Sequence, residues 1–360
     1  MQARATPGGA AEETEPFAGL SPDVILDAID RVLGAPDFAG GVRASGQVQA
    51  LNSYENRVFQ VGIEPAAWPA PAGAPQPPAA LIAKFYRPGR WSDAQILEEH
   101  GFLRELADAE VPAVPALELG GRTLHDVDGF RVALFPRRGG RAPELSERPV
   151  RERIGRFLGR LHAVGARRDF RARLRMDAES FGAEPSAYLL ASGWLPPELA
   201  PVYRDLTGQA LALVRAAFAA AGPVRAQRVN GDCHPGNLLW NDEGAEPGPH
   251  FVDFDDSAMA PAVQDLWMLL SGDRLEMSAQ LRDVLAGYEL FAPFDRRQLL
   301  LVEPLRTLRL IHYAAWIARR WSDPAFVAAF PWFPEARYWE ARVLELREQI
   351  AAMQEGPLEL

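Results

Sequence analysis

The stretch Asn230-Gly231-Asp232-Cys233-His234-Pro235-Gly236-Asn237, with the later run Val252-Asp253-Phe254, decides how this chain is interpreted. It contains an aspartate, four intervening residues and an asparagine, and a second aspartate follows after a pattern typical of a short β-hairpin. Carboxylate and amide oxygens are the hard ligands that Mg²⁺ prefers, and Mg²⁺ needs only one or two of them when substrate oxygens complete its shell. The two aspartates and the asparagine therefore offer two metal ligands and one further carboxylate.

Lys84 is the only lysine among the 38 lysine and arginine residues of the chain. An arginine-rich composition is common when coding DNA is rich in G and C, so the one remaining lysine is a candidate for chemistry that needs a compact ammonium group. It lies in the apolar, β-prone run 81–86, and a helical pattern about 15 residues later carries Glu98 and Glu99. Kinases place a phosphate-binding lysine on such a strand and pair it with a glutamate of the next helix. The apolar stripe of the helix favours Glu99 over Glu98.

Composition excludes several classes of protein. A chain of 360 residues with 48% hydrophobic and 24% charged residues is typical of a globular protein of two or three domains or lobes. The net charge of −10 argues against a general nucleic-acid binder. The single cysteine, Cys233, cannot form an internal disulfide or a cysteine zinc site. Without an apolar leader or a membrane-spanning run, we expect a cytoplasmic protein with no membrane partner.

The chain divides into three segments of different character. Residues 1–19 are small, acidic and rich in Pro and Gly, which predicts a disordered tail. Residues 20–138 predict an N-terminal lobe that consists of a five-stranded antiparallel sheet with one helix. Residues 139–360 predict a mainly helical C-terminal lobe, so the fold class is α+β. The predicted strands are Val48–Leu51, Arg57–Val61, Ala80–Tyr86, Val111–Leu117 and Arg131–Phe135.

Helical periodicity and turn residues predict the remaining helices, linkers and loops. Ser21 followed by proline predicts the N-cap of a first helix that ends at Gly34, and the Pro- and Ala-rich stretch 66–78 predicts an exposed, mobile insertion. Gly and Pro in 136–149 mark a linker. Two β-prone runs, 238–240 and 251–254, interrupt the helical part. Helical patterns beyond the linker cover 154–161, 210–220, 263–270, 281–288, 299–316 and 338–353.

The chain resembles the stress response kinase A family, a group of bacterial Ser/Thr protein kinases in the aminoglycoside-phosphotransferase superfamily. The resemblance extends from about Ser21 to Leu360, and long strings around the catalytic motif distinguish this family from the wider superfamily. The strings that carry the resemblance are Ala50-Leu51-Asn52-Ser53-Tyr54-Glu55-Asn56-Arg57-Val58, Lys84-Phe85-Tyr86-Arg87-Pro88, Gln95-Ile96-Leu97-Glu98-Glu99-His100, Gly231-Asp232-Cys233-His234, Pro261-Ala262-Val263-Gln264-Asp265-Leu266-Trp267-Met268-Leu269-Leu270, Glu303-Pro304-Leu305-Arg306 and Arg320-Trp321-Ser322-Asp323-Pro324-Ala325-Phe326.

The resemblance implies a two-lobed protein-kinase-like fold that uses ATP and Mg²⁺ to phosphorylate a Ser or Thr of a protein substrate. We expect autophosphorylation and a monomeric chain. Asp232 would be the catalytic base and Asp253 a second catalytic residue, while Asp265 would support the catalytic loop. The residues implied to contact the nucleotide are Ser53, Asn56, Lys84, Glu99 and Phe135, the last within a hinge at 134–137, and the implied Mg²⁺ ligands are Asn237 and Asp253.

Other functions stay open. Asn230 stands where the family has His, which predicts a less rigid loop with intact chemistry, whereas 52–56 takes the place of a glycine-rich phosphate loop as it does in the family. A kinase for a small alcohol, such as an aminoglycoside, choline or homoserine, would share the same machinery, and only the family strings favour a protein acceptor. A pseudokinase that acts as a binding module is the remaining alternative, and Asn230 is the one residue in its favour.

Overall fold

The protein forms two compact units in the residues that the structure, a computed structural model, describes: 15–34, 42–51, 53–65, 79–242 and 248–360. The sheet unit consists of residues 15–143 together with 236–255, and the helical unit consists of residues 144–235 together with 256–360. The hairpin segment 236–255 thus belongs to the sheet unit, although the sequence placed it in the C-terminal lobe. The division into a nucleotide-binding and a catalytic lobe stays a prediction.

The elements alternate between strand-rich and helix-rich stretches of the chain. In chain order they are α1 (Pro22–Leu33), β1 (Val42–Ala50), β2 (Arg57–Pro65), β3 (Ala80–Tyr86), α2 (Asp93–Asp108), β4 (His125–Val127), β5 (Phe130–Pro136), α3 (Arg148–Gly165), α4 (Glu184–Ala191), α5 (Ala200–Ala221), β6 (Gln227–Val229), β7 (Leu238–Asn241), β8 (Gly248–Phe251), β9 (Ala258–Ala260), α6 (Val263–Trp267), α7 (Arg274–Tyr288), α8 (Val302–Arg319), α9 (Pro324–Ala329) and α10 (Ala336–Gln354).

The sheet unit contains the predicted five-stranded antiparallel sheet, with strand order β1-β2-β3-β5-β4. Its strands are rich in the apolar residues that suit a pleated, half-buried surface, and α1 packs on the sheet through Ile25, Ile29 and Val32. Helix α2 begins with a capping box, in which the Ser92 side chain and the Gln95 side chain each bind the backbone of the other residue. The predicted fold class is confirmed.

The fourth predicted strand is wrong. Val111–Leu117 forms no named strand, and β4 is instead the short segment His125–Val127. Pro112 and Pro115 lack a backbone N–H, so this stretch cannot donate a continuous ladder of hydrogen bonds. It makes single contacts instead, among them a bridge from Ala113 to Phe251.

The N-terminal segment is ordered where the structure describes it. Residues 1–14 of the predicted tail, and all of the predicted insertion 66–78, lie outside the described residues. Residues 15–19 differ from the prediction of disorder, because they form a turn that buries Phe17 against the ring of Phe130. The predicted cap of α1 is confirmed, since the Ser21 hydroxyl accepts a hydrogen bond from the backbone N–H of Val24.

The helical unit matches the predicted pattern of helices. Helices α3 and α7 approach so closely that their backbones touch, because a Cβ at Gly155 would lie 1.9 Å from the carbonyl oxygen of Val284. A second cluster of buried apolar and aromatic side chains joins α4, α5, α8, α9 and α10, with Trp339 at its centre. Helix α8, which supplies one wall of a cavity described below, is held by this cluster. None of the helices in the described chain combines the length and the apolar character that crossing a bilayer requires.

Candidate active site

One cleft in the sheet unit gathers most of the residues that the sequence singled out. Its volume is about 340 Å³, which is within the range of small-molecule sites. Apolar side chains from β2, β3, β5, α2 and the β7–β8 hairpin form much of its wall, together with Leu51 just after β1. Of the eight residues that the sequence assigned to the site, seven line this cleft: Ser53, Asn56, Lys84, Glu99, Phe135, Asn237 and Asp253.

Lys84 lies in the cleft among carboxylates. It is at the middle of β3, where its backbone is paired with Val58 and Ala133 of the neighbouring strands, and its side chain is 9% exposed. Its Nζ lies 2.9 Å from a carboxylate oxygen of Asp255, 3.5 Å from Glu99 and 3.8 Å from Asp253. Burial by itself lowers the pKa of the Lys84 ammonium, but Asp255 and then Glu99, with smaller contributions from Tyr86 and Asp253, hold that pKa well above its usual value. Lys84 is therefore a permanent cation at neutral pH.

Glu99, and not Glu98, is the helix glutamate that the structure brings to Lys84. Glu99 is 1% exposed on α2, next to buried Ile96 and Leu103 on the same helix, whereas Glu98 is partly exposed. The apolar stripe favours Glu99 because positions three and four residues apart lie on one face of a helix.

Asp253 is presented to the cleft by an unusual backbone. Its φ of 53° lies in the left-handed region, which few residues other than glycine adopt and which aspartate tolerates better than most. Strand β8 ends at Phe251, three residues before the end of the predicted run 251–254. The side chain of Asp253 is 57% exposed, while the following Phe254 is buried with its ring edge-on to Phe102 of α2.

Asn237 and Asp253 flank the open end of the same hairpin. Asn237 ends the short turn Pro235–Asn237 just before β7, and Asp253 follows β8, which pairs with β7 in antiparallel register. The backbone N–H of Val252 donates to the carbonyl oxygen of Asn237 at 3.1 Å, which fixes the two ends of the hairpin together. In the described part of the chain no group of three or more His, Cys, Asp or Glu side chains could hold a metal ion on its own. Asn237 and Asp253 suit Mg²⁺ bound together with phosphates, because that ion needs only one or two oxygens from the protein.

The loop at 53–56 is held by its own side chains. The Asn56 side chain is buried, and its Oδ1 accepts a hydrogen bond of 3.0 Å from the backbone N–H of Arg87. Asn56 therefore ties the start of β2 to the end of β3, and both Asn56 and Ser53 line the cleft. At the other side of the cleft, Phe135 of β5 pairs with Ile82 of β3 and packs edge-on to the ring of His100.

Three residues near the cleft were missed by sequence reasoning. Asp255 is Lys84's nearest partner, and it also contacts Arg90, which in turn lies 3.6 Å from Glu55. The only signal in the sequence was the pair Asp255-Asp256, which is typical of a solvated acidic turn. Asp255 is instead buried, because Arg90 and Lys84 both supply it with a counter-charge.

Asp232, the eighth predicted site residue, belongs to the helical unit. Its carboxylate forms an ion pair with Arg309 of α8 through one oxygen, and its other oxygen lies 3.5 Å from Nε2 of His234. Asp232 is partly exposed, and it lines a cavity of about 130 Å³. Arg309 was not predicted, because its position on an amphipathic helix gives no sign of its partner.

Asp265 supports the loop that carries Asp232. Its buried carboxylate accepts hydrogen bonds of 2.8 Å from the backbone N–H groups of Asn230 and Gly231, and it contacts Nε2 of His162 at 3.0 Å. The Asn230 side chain accepts a hydrogen bond of 3.1 Å from the backbone N–H of Asp232. Asn230 thus stabilises the loop by hydrogen bonding.

The cavity beside Asp232 combines polar side chains with apolar and aromatic ones. One face of α8 supplies half of the lining residues at helical spacing, and the others come from the segment before α4, the loop that carries Asp232, and the segment from Asp256 to α6. The ring of Phe181 stacks on His312 at 4.3 Å, and Tyr313 stacks on Trp316 at 5.6 Å. The residues of α8 that line the cavity are Leu305, Leu308, Arg309, His312, Tyr313 and Trp316.

Comparison with known proteins agrees with this arrangement. Residues 47–301 match the model of a family described as "Phosphotransferase enzyme family" (APH). Stress response kinase A of Escherichia coli strain K12 is 39% identical over 344 residues, which cover 96% of this chain and 97% of that protein. The protein named serine/threonine protein kinase RdoA of Salmonella typhimurium strain LT2 is 38% identical over 348 residues, with the same coverage of both chains.

A solved structure shares the fold at much lower sequence identity. The amicoumacin kinase hAmiN, in complex with AMP-PNP, Ca²⁺ and Ami, superposes with a TM-score of 0.63 at 17% identity, and the match covers 87% of this chain and 90% of that one. At this identity the likeness supports the fold.

Proposed function

Because the chain belongs to the phosphotransferase enzyme family and, within it, to the family of stress response kinase A, we propose that it is a Ser/Thr protein kinase that depends on ATP and Mg²⁺ and acts in the stress response. The observation that carries this proposal is the convergence of Lys84, Glu99, Asn237 and Asp253 on one cleft, although they come from four separate segments. A binding module without catalysis has no need for this combination of a buried cation and oxygen ligands.

The cleft would hold the nucleotide. Its apolar wall suits a flat base, and the backbone around Phe135 would meet the polar edge of adenine, as in other kinases. Lys84 would contact the phosphates, and Glu99 would keep the lysine in place. Asn237 and Asp253 would hold Mg²⁺, which, when bound, neutralises charge on the phosphates.

Asp232 would act on the acceptor. Phosphoryl transfer requires the acceptor hydroxyl oxygen to form a bond to the γ-phosphorus while the bond from that phosphorus to the leaving ADP oxygen breaks. The hydroxyl proton passes to the Asp232 carboxylate as the new bond forms. Arg309 supports this role because its ion pair holds one oxygen of the Asp232 carboxylate, while the other oxygen, 3.5 Å from Nε2 of His234, would take the proton.

Transfer of radiolabelled phosphate tests the proposal. The full-length protein is incubated with γ-labelled ATP and Mg²⁺, first alone and then with a generic protein substrate. We expect label on Ser or Thr of the substrate and on the kinase itself, and we expect both signals to disappear with Asp232→Asn. Label that persists in Asp232→Asn would show that another residue is the base.

A kinase for a small alcohol is the second candidate, since the solved relative named above acts on amicoumacin. The same assay with a panel of small alcohols separates the two functions. Rapid turnover of one alcohol, without any labelled protein, would replace our assignment.

A further inference from the structure

Asp255 has the closest contact with Lys84, and neither the catalytic motif nor the proposed function gives it a role. Its two oxygens have different partners: Oδ1 lies 2.9 Å from Nζ of Lys84, and Oδ2 forms an ion pair with Arg90. The indole N–H of Trp91 lies 3.4 Å from the same Oδ2. Because its side chain is 4% exposed, these contacts are made with little competition from water.

Arg90 extends the contact to the loop at 53–56. Its guanidinium lies 3.6 Å from the Glu55 carboxylate, which is also 3.7 Å from Arg87. The side chains of Glu55, Arg87 and Arg90 are each less than 10% exposed. A continuous chain of buried charges therefore runs from the 53–56 loop through Arg90 and Asp255 to Lys84.

Because Asp255 follows Asp253 and Phe254 in the chain, this network of charges also fixes the segment that carries Asp253. Two residues before it, Asp253 lies in the left-handed backbone conformation with most of its side chain exposed. Phe254 is fixed beneath α2 by its contact with Phe102, and Asp255 is fixed by Arg90 and Lys84. Phe254 and Asp255 are two successive buried residues that hold the segment from its C-terminal side, while the exposed carboxylate of Asp253 lines the cleft.

We propose that Asp255 is a positioning residue that holds Asp253 and Lys84 in a common geometry for Mg²⁺-nucleotide, and that Arg90 is its permanent counter-charge. The inference rests on the proposed function. Phosphates attract the Lys84 ammonium, which weakens its hold on Asp255 when the nucleotide binds. Arg90 carries five donors and a charge that is not lost at any ordinary pH, so it keeps Asp255 in place in both states.

The test measures Mg²⁺ dependence directly, by binding of a fluorescent ATP analogue to the full-length protein at increasing Mg²⁺ concentration. Partners that orient a metal ligand are typically worth about 10- to 100-fold in metal affinity. We expect Asp255→Asn to raise the Mg²⁺ concentration for half-maximal binding by a factor in that range. Arg90→Lys keeps the positive charge but loses the planar guanidinium group. We expect a smaller increase in the Mg²⁺ concentration for half-maximal binding.

Arg131→Lys is the matched control. Arg131 is an arginine of the same unit that also contacts two aspartates, Asp93 and Asp126, but it is 36% exposed and lies outside the cleft. We expect its Mg²⁺ dependence to equal that of the wild type. Thermal unfolding shows whether each variant is folded. If Asp255→Asn does not fold, the Mg²⁺ dependence of Arg90→Lys tests the positioning role.

The possible outcomes distinguish a failure of the proposed function from a failure of the positioning role alone. A wild-type protein that binds no nucleotide at any Mg²⁺ concentration would overturn the proposed function, and the role of Asp255 with it. A wild type that binds, together with folded Asp255→Asn and Arg90→Lys variants whose Mg²⁺ dependence is unchanged, would overturn the positioning role alone. A shift in steady-state KM for ATP without the shift in Mg²⁺ dependence also contradicts it, because a general loss of packing would have that effect.

Discussion

The two units place their functional side chains in opposite surroundings. In the sheet unit, Lys84 lies within 3.8 Å of three carboxylates, and two arginines and a further glutamate extend the network of charges. In the helical unit, Asp232 pairs with Arg309 and lines a cavity in which polar side chains lie beside apolar and aromatic ones. The first arrangement suits a ligand of high charge, and the second suits an acceptor that presents a polar group together with apolar surface.

This difference follows from the chemistry of the two substrates that we propose. Every ATP-dependent kinase must neutralise the same phosphates and hold the same metal, so the charged residues of the cleft are closely specified. The acceptor differs from one kinase to the next. The side chains that line the cavity beside Asp232 should therefore depend on the acceptor of this protein. A substitution in one unit should therefore impair the role that we propose for that unit and leave the role of the other unit intact.

The largest expected effect comes from the helical unit. Asp232→Asn keeps the shape of the side chain but removes the proton acceptor, and we expect kcat for phosphoryl transfer to fall by about 10²- to 10⁴-fold. Binding of a fluorescent ATP analogue should stay within about twofold of the wild type, because the nucleotide contacts that we propose come from the sheet unit. The comparison variant Asp253→Asn should lose both transfer and Mg²⁺-dependent binding. Equal loss of binding in the two variants would contradict the separation of the halves.

The next largest effect comes from the cleft, and it tests whether the cleft requires a lysine or only a positive charge at position 84. Lys84→Arg keeps the charge, but the planar guanidinium cannot occupy the space between Asp255, Glu99 and Asp253 without displacing them. A misplacement of about 1 Å in an active site can cost about 100-fold, and we expect a loss of that order in kcat/KM for ATP. Activity close to that of the wild type would mean that only the charge at position 84 matters.

Sequence reasoning found the residues whose spacing is local. Asp232 and Asn237 are separated by four residues, Glu99 is recognisable from one helical stripe, and Lys84 lies in one apolar strand. Such patterns are readable because the periods of helix and strand determine which side chains share a face. The same logic failed at Val111–Leu117, where β-prone residues suggested a strand and two prolines prevented it.

Residues whose role depends on a distant partner could not be found in this way. Asp255 is buried because Arg90, 165 residues earlier in the chain, reaches it. In the sequence alone, Asp255 is one of two acidic residues in a turn, and Arg90 is one of many arginines. Arg309 was missed for the same reason, since only the folded helical unit brings it to Asp232.

A third prediction concerns the backbone that holds Asp232. Gly231 has a φ of +88°, and a Cβ at this position would lie 2.3 Å from the carbonyl oxygen of Asp256. Both the left-handed conformation and the close approach require glycine, so Gly231→Ala should lower the free energy of unfolding by at least about 1–3 kcal/mol. Urea unfolding measures the change.

Gly208→Ala is the control for that measurement. Gly208 lies within α5 of the same unit, and a Cβ there would meet no atom within 4 Å. Alanine is favoured over glycine inside a helix by about 0.5–1 kcal/mol, so this variant should be more stable than the wild type. If Gly231→Ala were as stable as the wild type, the loop would have moved away from Asp256, and the requirement for glycine at this position would be wrong.

The smallest effect is a dependence of stability on alkaline pH that originates beside the same loop. Burial, followed by the negative charges of Asp265 and Asp232, raises the pKa of the Cys233 thiol well above its usual value. The unfolded chain releases this proton near pH 8.5 while the folded chain retains it, so the free energy of unfolding falls as pH rises above that value. One pH unit higher, the loss should be about 1.4 kcal/mol, and Cys233→Ala should remove it. Urea unfolding of both proteins at pH 7.5, 8.5 and 9.5 measures the difference, and parallel pH profiles would show that water reaches the thiol in the folded protein.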